Sequence, residues 1–162
     1  MPVLILIKGP AGAGKSTTCK ELLKRRDDLE FVDLESLKEE FSHLAREERK
    51  KQAHTKYYPL VKQLLKKEKN ILLQESFLQD ITKELGRELA EAKYRVYSFF
   101  LEVSLEECKQ RNNRRKKQLS EEYLEKSYTY LAIPEEGDQV LDAETNSVEA
   151  VVSTILTLLK KS

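Results

Sequence analysis

Residues 3–17 read VLILIKGPAGAGKST. Val3 to Ile7 is a continuous apolar run of the length found in strands buried on both faces, and Gly9-Pro10 stops it abruptly. From Lys15 onward, Cys19, Leu22 and Leu23 recur at helical spacing, and the charged run Lys24 to Asp28 marks the exit. The reading is strand, glycine loop, helix. Between the two, Gly9 to Ser16 satisfies G-x-x-x-x-G-K-[ST], in the strand-to-helix setting that gives the motif its meaning. Such a loop wraps a phosphate closely enough for consecutive backbone amides to point inward, which calls for small residues at Gly12, Ala13 and Gly14. The helix start adds its positive end, the Lys15 ammonium reaches the terminal phosphates, the Ser16 hydroxyl holds Mg²⁺, and Thr17 is placed for a further phosphate contact. Gly9, Gly12, Ala13, Gly14, Lys15, Ser16 and Thr17 are the candidate ATP-binding residues, Lys15 also a catalytic one.

Outward from this unit, apolar segments and helical patterns keep alternating. Phe31 to Leu34 is a second strand candidate, followed by a charged stretch from Leu37 to Lys51 in which Leu37, Phe41 and Leu44 can share a face, and by a further amphipathic helix from Tyr57 to Lys67. Ile71 to Leu73 is a third strand, with one helix from Leu78 to Ala92 after it. Arg95 to Val103, rich in Val, Tyr and Phe, is a fourth. Ser104 and Glu107 make a capping box for the helix that carries Cys108 and Arg111. Gln139 to Leu141 is a fifth strand, and Ser147 to Lys160 closes the pattern with a broad apolar helix face. The alternation predicts an α/β fold: one domain over 1–162 with a five-stranded parallel sheet, helices on both faces, and a small arginine-bearing lid at about residues 111–133.

Composition removes several function classes. The sequence has 162 residues, 40% of them hydrophobic and 35% charged, with a formal net charge of +1, so one core is affordable and no overall basic character points to nucleic acid or an anionic membrane. The longest apolar run is far below the roughly 20 residues of a membrane-spanning helix, and the reading is of a soluble, cytoplasmic chain with no membrane partner. Cys19 and Cys108 have no second Cys or His at a metal-ligand spacing, which argues against a disulfide framework or structural zinc. His43 and His54 read as surface or incidental residues.

The phosphate loop leaves the acceptor open, because small-molecule kinases, nucleic-acid kinases, GTPases and motor ATPases share it. Ligand groups in such a sheet gather beyond the carboxyl ends of the strands, so the residues leaving strands two and three are the ones to inspect. Transfer to a hydroxyl needs a carboxylate that accepts its proton and a cation near the acceptor, and Asp33-Leu34-Glu35-Ser36-Leu37-Lys38 offers both. The competing use of Asp33 and Glu35 is to cap the next helix. Glu75, just after strand three, stands where a Mg²⁺-ordering carboxylate is placed. Arg111, Arg114, Arg115, Lys116 and Lys117 form the densest positive cluster and fit a lid over ATP, where a guanidinium stabilises charge on the transferring phosphoryl group. Arg46 to Lys51 and Lys62 to Lys69 are interleaved with Glu and read as exposed helix faces. No Asn-Lys-x-Asp segment for a GTPase is present.

GPAGAGKST at 9–17, Asp33-x-Glu35-x-Leu37-Lys38, ILLQES at 71–76 and Arg111-x-x-x-Arg115 together resemble the small phosphate-loop kinases related to the 5′-kinase domain of bacteriophage polynucleotide kinase. In that family strand two usually ends Asp-x-Asp-x-Leu-Arg. The resemblance implies Glu35 as general base, Lys38 as the acceptor contact and Arg115 as the lid catalyst; beside these, Asp33 is a candidate acceptor contact and the alternative base, and Arg111 a candidate ATP contact. It implies ATP and Mg²⁺ as cofactors, and a polynucleotide or nucleotide 5′-hydroxyl as acceptor. Residues 134–144 are also similar to the end of adenylylsulfate kinases, which keeps a small-molecule acceptor in view. A slow NTP-hydrolysing switch that acts through partners is the reading from another class.

Overall fold

β1 (Val3–Lys8) lies at the centre of the sheet, and its alternating side chains feed two cores. The computed structural model describes residues 1–74 and 81–161. Ile5 and Ile7 point to one face and pack with Cys19 and Leu22 of α1 (Lys15–Arg25) and with Val152 and Ile155 of α8 (Val148–Lys160). Leu4 and Leu6 point to the other, against α2 (Leu34–Glu39), α3 (Arg46–Lys66), α4 (Ile81–Glu84) and α5 (Gly86–Glu91), through Leu37, Tyr57, Val61, Ile81 and Leu89. That double burial is why the run 3–7 is apolar at every position instead of alternating.

The remaining strands are β2 (Leu29–Asp33), β3 (Asn70–Gln74), β4 (Arg95–Glu102) and β5 (Gln139–Asp142), and the remaining helices α6 (Leu105–Asn113) and α7 (Glu121–Leu131). The order across the sheet is β2-β3-β1-β4-β5 and every pairing is parallel, with Leu4 opposite Ile71 and Phe99 opposite Gln139. The expected single α/β domain with five parallel strands and helices on both faces is what forms. The chain reverses its direction of travel across the sheet beside β1, so the carboxyl ends of β1, β2 and β3 open onto one crevice.

Several expected boundaries move. The apolar segment expected over Phe31 to Leu34 forms a strand from Leu29 to Asp33, because the Asp33 carboxylate accepts from the Glu35 amide at 3.0 Å and starts α2 at Leu34. The helix read from Leu37 to Lys51 stops at Glu39, and a single 21-residue helix, α3, replaces the two expected pieces. Ala53, Tyr57, Val61 and Leu65 are buried at four-residue spacing and carry α3 through Pro59. The helix read over 78–92 is broken at Leu85 beside Gly86, though Ile81, Leu85 and Leu89 are all buried as its period requires; residues 78–80 lie outside the described residues. The capping box at Ser104 is half formed: Ser104 Oγ accepts from the Glu107 amide at 3.2 Å, while the Glu107 carboxylate serves Arg111. Cys19 and Cys108 are free, buried thiols. Among the described residues no helix is long and apolar enough to cross a membrane.

Candidate active site

The loop between β1 and α1 holds three glycines with positive φ, Gly9, Gly12 and Gly14. Gly14, at φ 93°, is the residue before α1, and no side chain caps that helix, whereas Asp33, Ser104, Ser120 and Ser147 cap α2, α6, α7 and α8. The first turn of α1 also holds no acid. Its amides are thus left for an anion. Gly12, at φ 86°, is required for a second reason: a Cβ there would lie 3.0 Å from the Cys108 carbonyl oxygen. The smallness that the motif assigns to phosphate access serves at Gly12 to seat the loop on α6.

Lys15 folds back over this loop. Its Nζ donates to the Gly9 carbonyl at 2.8 Å and the Pro10 carbonyl at 3.0 Å, and the residue is 7% exposed. Burial pushes its ammonium down to about 8, against the opposing pull of Glu35. An anion at the loop would supply the counter-charge that two carbonyl dipoles only approximate. Ser16 is exposed at the start of α1, and its hydroxyl accepts from Gln74 Nε2 at 2.9 Å. Gln74, at the carboxyl end of β3, is buried, and its Oε1 has no hydrogen-bond partner among the described residues. Thr17 is exposed on the same turn.

A cleft of about 760 Å³ runs from this loop to the exit of β2. Ala11, Gly12, Ala13, Gly14, Lys15, Ser16 and Thr17 of the loop line it, together with Asp33, Glu35, Ser36 and Glu39 after β2 and with Arg111, Arg114 and Arg115 of α6 and the turn that follows. Gly9 contributes its carbonyl to Lys15 rather than lining the wall. Glu75 lies outside the described residues.

The two acids after β2 have different work. Asp33 caps α2, accepting from the Glu35 amide and, at 2.9 Å, from Ser36 Oγ, which is the capping use the sequence offered. Glu35 is turned to Lys38, whose Nζ is 2.9 Å away. Lys38 itself is not on the cleft wall. Its ammonium is held below the ordinary lysine range by burial first, with Lys50 and Arg46 adding to the effect and Glu35 opposing it. Arg111 is tied up by protein groups: Nη1 donates to the Ala13 carbonyl at 3.2 Å, Nη2 to the Ala143 carbonyl at 2.6 Å, and Nε to Glu107 at 3.1 Å. It joins the loop to α6 and to the turn after β5.

Arg46 is exposed, as expected, and its guanidinium lies over the Tyr123 ring at 4.7 Å, linking α3 to α7 beside the cleft. His54 is partly buried next to Tyr58, and burial lowers its imidazole below the usual histidine value; His43 is exposed as expected. The sequence reading missed Gln74, Glu39, Tyr123 and Ser127. Ser127 Oγ accepts from the Ala11 amide at 3.2 Å and so attaches α7 to the loop. A Gln closing an otherwise apolar strand was the one visible signal; the others needed the tertiary fold.

Residues 4–131 match the AAA domain family AAA_33. The chain belongs to that family. Among curated proteins, this AAA domain is 32% identical over 134 residues to a guanylate kinase of Clostridium perfringens (strain 13 / Type A), an alignment that covers 67% of this chain and 59% of that protein. The chain therefore spans under two thirds of the length of the curated relatives it matches. A gluconokinase from Sinorhizobium meliloti 1021 superposes with a TM-score of 0.70 at 18% identity, over 99% of this chain and 93% of its own. A chain of the Pnkp1/Rnl/Hen1 RNA repair complex does so with a TM-score of 0.67 at 18% identity, over 80% of this chain and 44% of its own. These two likenesses establish a common fold for the AAA domain.

Proposed function

We propose that this AAA domain is an ATP-dependent kinase that moves the γ-phosphoryl group to a hydroxyl of a small polar acceptor. One observation carries the reading: the phosphate loop with its uncapped helix, the carboxylates that follow β2 and the arginines of α6 and the next turn all line one cleft. The loop amides, Lys15 and Thr17 bind the triphosphate. Ser16, whose hydroxyl accepts from Gln74, would hold Mg²⁺, a hard cation that would neutralise phosphate charge, and the buried Gln74 Oε1, with no partner among the described residues, suits a hydrated cation. Glu35 takes the proton of the acceptor hydroxyl, whose oxygen bonds to the γ-phosphorus as the bond to the β-phosphate oxygen breaks and ADP leaves. Arg115 stabilises the equatorial oxygens during transfer. Asp33 fixes α2, and with it the position of Glu35, and Lys38 orients the carboxylate.

The three carboxylates among the lining residues, Asp33, Glu35 and Glu39, favour a neutral acceptor over a polyanion. The kinship with a guanylate kinase and the fold shared with a gluconokinase fit a small substrate. A second reading, a nucleotide or polynucleotide 5′-hydroxyl, is favoured by the cations Lys50 and Arg46 that act on Lys38 behind Glu35. A cytoplasmic site of action belongs to the proposal and suits the two unpaired thiols.

The test is an acceptor screen with γ-labelled ATP and Mg²⁺, comparing polyols and sugar acids with nucleoside monophosphates and 5′-hydroxyl oligonucleotides. Label is expected on a small acceptor, and Glu35→Gln is expected to abolish transfer while nucleotide still binds. Label only as free phosphate with every acceptor would replace the kinase by an NTP-hydrolysing switch.

A further inference from the structure

Asn112 occupies the last turn of α6 and is 4% exposed. Asparagine is a poor helix former, and an amide buried there is unfavourable unless both of its functions are paired. Here one residue pairs both. Asn112 Nδ2 donates to the Leu119 carbonyl at 2.8 Å, and the Leu119 amide donates to Asn112 Oδ1 at 2.8 Å. The side chain thereby stands in for a strand partner and closes a turn whose six intervening residues, 113–118, are all exposed.

That turn carries Arg114 and Arg115, both on the cleft wall. The Arg115 amide donates to the Asn112 carbonyl at 3.0 Å, so the turn is attached to Asn112 at both ends. Immediately beyond Leu119, Ser120 caps α7, and Ser127 of α7 accepts from the phosphate loop. Without the clamp, six exposed, mostly charged residues have no buried contact to hold them in one path, and ordering them would be left to the moment of catalysis.

We propose that Asn112 is a positioning residue for phosphoryl transfer, its side chain clamping Leu119 so that the Arg115 guanidinium is presented to the cleft before ATP arrives. The inference rests on the kinase reading and goes beyond it by assigning the residue that preorganises the arginine. Asn112 touches no reacting atom.

The experiment compares wild type, Asn112→Ala, Asn112→Asp, Arg115→Ala and the Asn112→Ala/Arg115→Ala double variant. Asp has the shape of Asn and still accepts from the Leu119 amide, but its carboxylate cannot donate to the Leu119 carbonyl. Transfer is measured at saturating Mg·ATP, with water as acceptor or with a hydroxyl acceptor from the screen, and affinity with a fluorescent ATP analogue. Trypsin cleavage after residues 114–117 reports the turn itself. Both Asn112 variants are expected to lower kcat about 10- to 100-fold, the size of an orientation defect of about 1 Å, with analogue affinity within about twofold of wild type. They are expected to be cut several-fold faster than wild type. In the Arg115→Ala background, Asn112→Ala is expected to lower kcat no further.

An equal loss from Asn112→Ala with and without Arg115 overturns the proposal, since the residue would then act on the fold and not through the arginine. Equal cleavage of wild type and variants overturns the clamp. Failure of the wild type to transfer phosphate to any acceptor other than water overturns the kinase reading instead, a result told apart by cleavage rates that still differ.

Discussion

Lys15 gives the sharpest quantitative test of the phosphate-loop chemistry. Its ammonium is buried, bonded to the carbonyls of Gly9 and Pro10, and pushed down to about 8. A bound triphosphate places anionic oxygens beside it and returns the group to the ordinary lysine range or above. Binding must then draw in a proton wherever the free loop is partly deprotonated. With a free value of about 8, uptake is about 0.1 proton at pH 7, about 0.5 at pH 8 and about 0.9 at pH 9. The sign follows directly. The charged form is favoured in the complex, so affinity is fully present below the free value and is lost as pH rises above it. Between pH 7 and pH 9 the loss is about tenfold, or about 1.4 kcal/mol. Isothermal calorimetry with a nonhydrolysable ATP analogue and Mg²⁺, run at the three pH values in buffers of different ionisation enthalpy, measures both quantities. The triphosphate is fully ionised across the upper half of this range and contributes no uptake of its own there. Zero uptake at pH 9 together with an affinity equal to that at pH 7 would refute the argument that burial, uncompensated in the free loop, dominates at Lys15.

Gly12→Ala forces a side chain onto a backbone at φ 86° with its Cβ 3.0 Å from the Cys108 carbonyl oxygen, and urea denaturation is expected to show a loss of about 2 kcal/mol; an unchanged midpoint would mean that α6 yields. Asp33→Ala removes the cap of α2 and is expected to lower stability by about 1 kcal/mol, read by thermal unfolding, and also to slow transfer because Glu35 rides on that helix. Hydrogen bonds from Arg26 hold the Asp28 carboxyl down to about 2, below its unfolded value of 3.8. Its contribution is present above the unfolded value and fades as pH falls towards the folded one, so Asp28→Asn is expected to flatten stability between pH 4 and pH 2 in acid titrations followed by circular dichroism, by a small amount because both partners are partly exposed.

The fold was legible because its central instructions are local. Val3 to Ile7 can be apolar throughout only if both sheet faces are covered, and Gly9 to Thr17 carries its own strand-to-helix context. Periodicity found Ile81, Leu85 and Leu89 but not the break at Leu85, and it left a gap between Lys51 and Tyr57 that the buried stripe of Ala53 and Tyr57 carries α3 across. The phosphate-loop part of the cleft was legible for the same reason, since consecutive residues build it. The part after β2 was legible as a list of charges but not as a division of labour. Asp33 proves to be a cap and Lys38 a partner of Glu35, roles that depend on where α2 begins, while Arg111 spends its donors on three protein segments.

Sequence alone determined that a loop of small residues would join a buried strand to a helix that opens on a lysine and two hydroxyls, because backbone conformation and neighbouring side chains within one short stretch suffice for that. Tertiary structure alone decided which distant groups meet it. Gln74 reaches Ser16 because β3 is the neighbour of β1 in the sheet, Gly12 must be bare because α6 lies against it, and Ser127 meets the Ala11 amide because α7 comes up to the loop. Those encounters are set by strand order and helix packing, which bring together residues whose separation along the chain carries no trace of the contact.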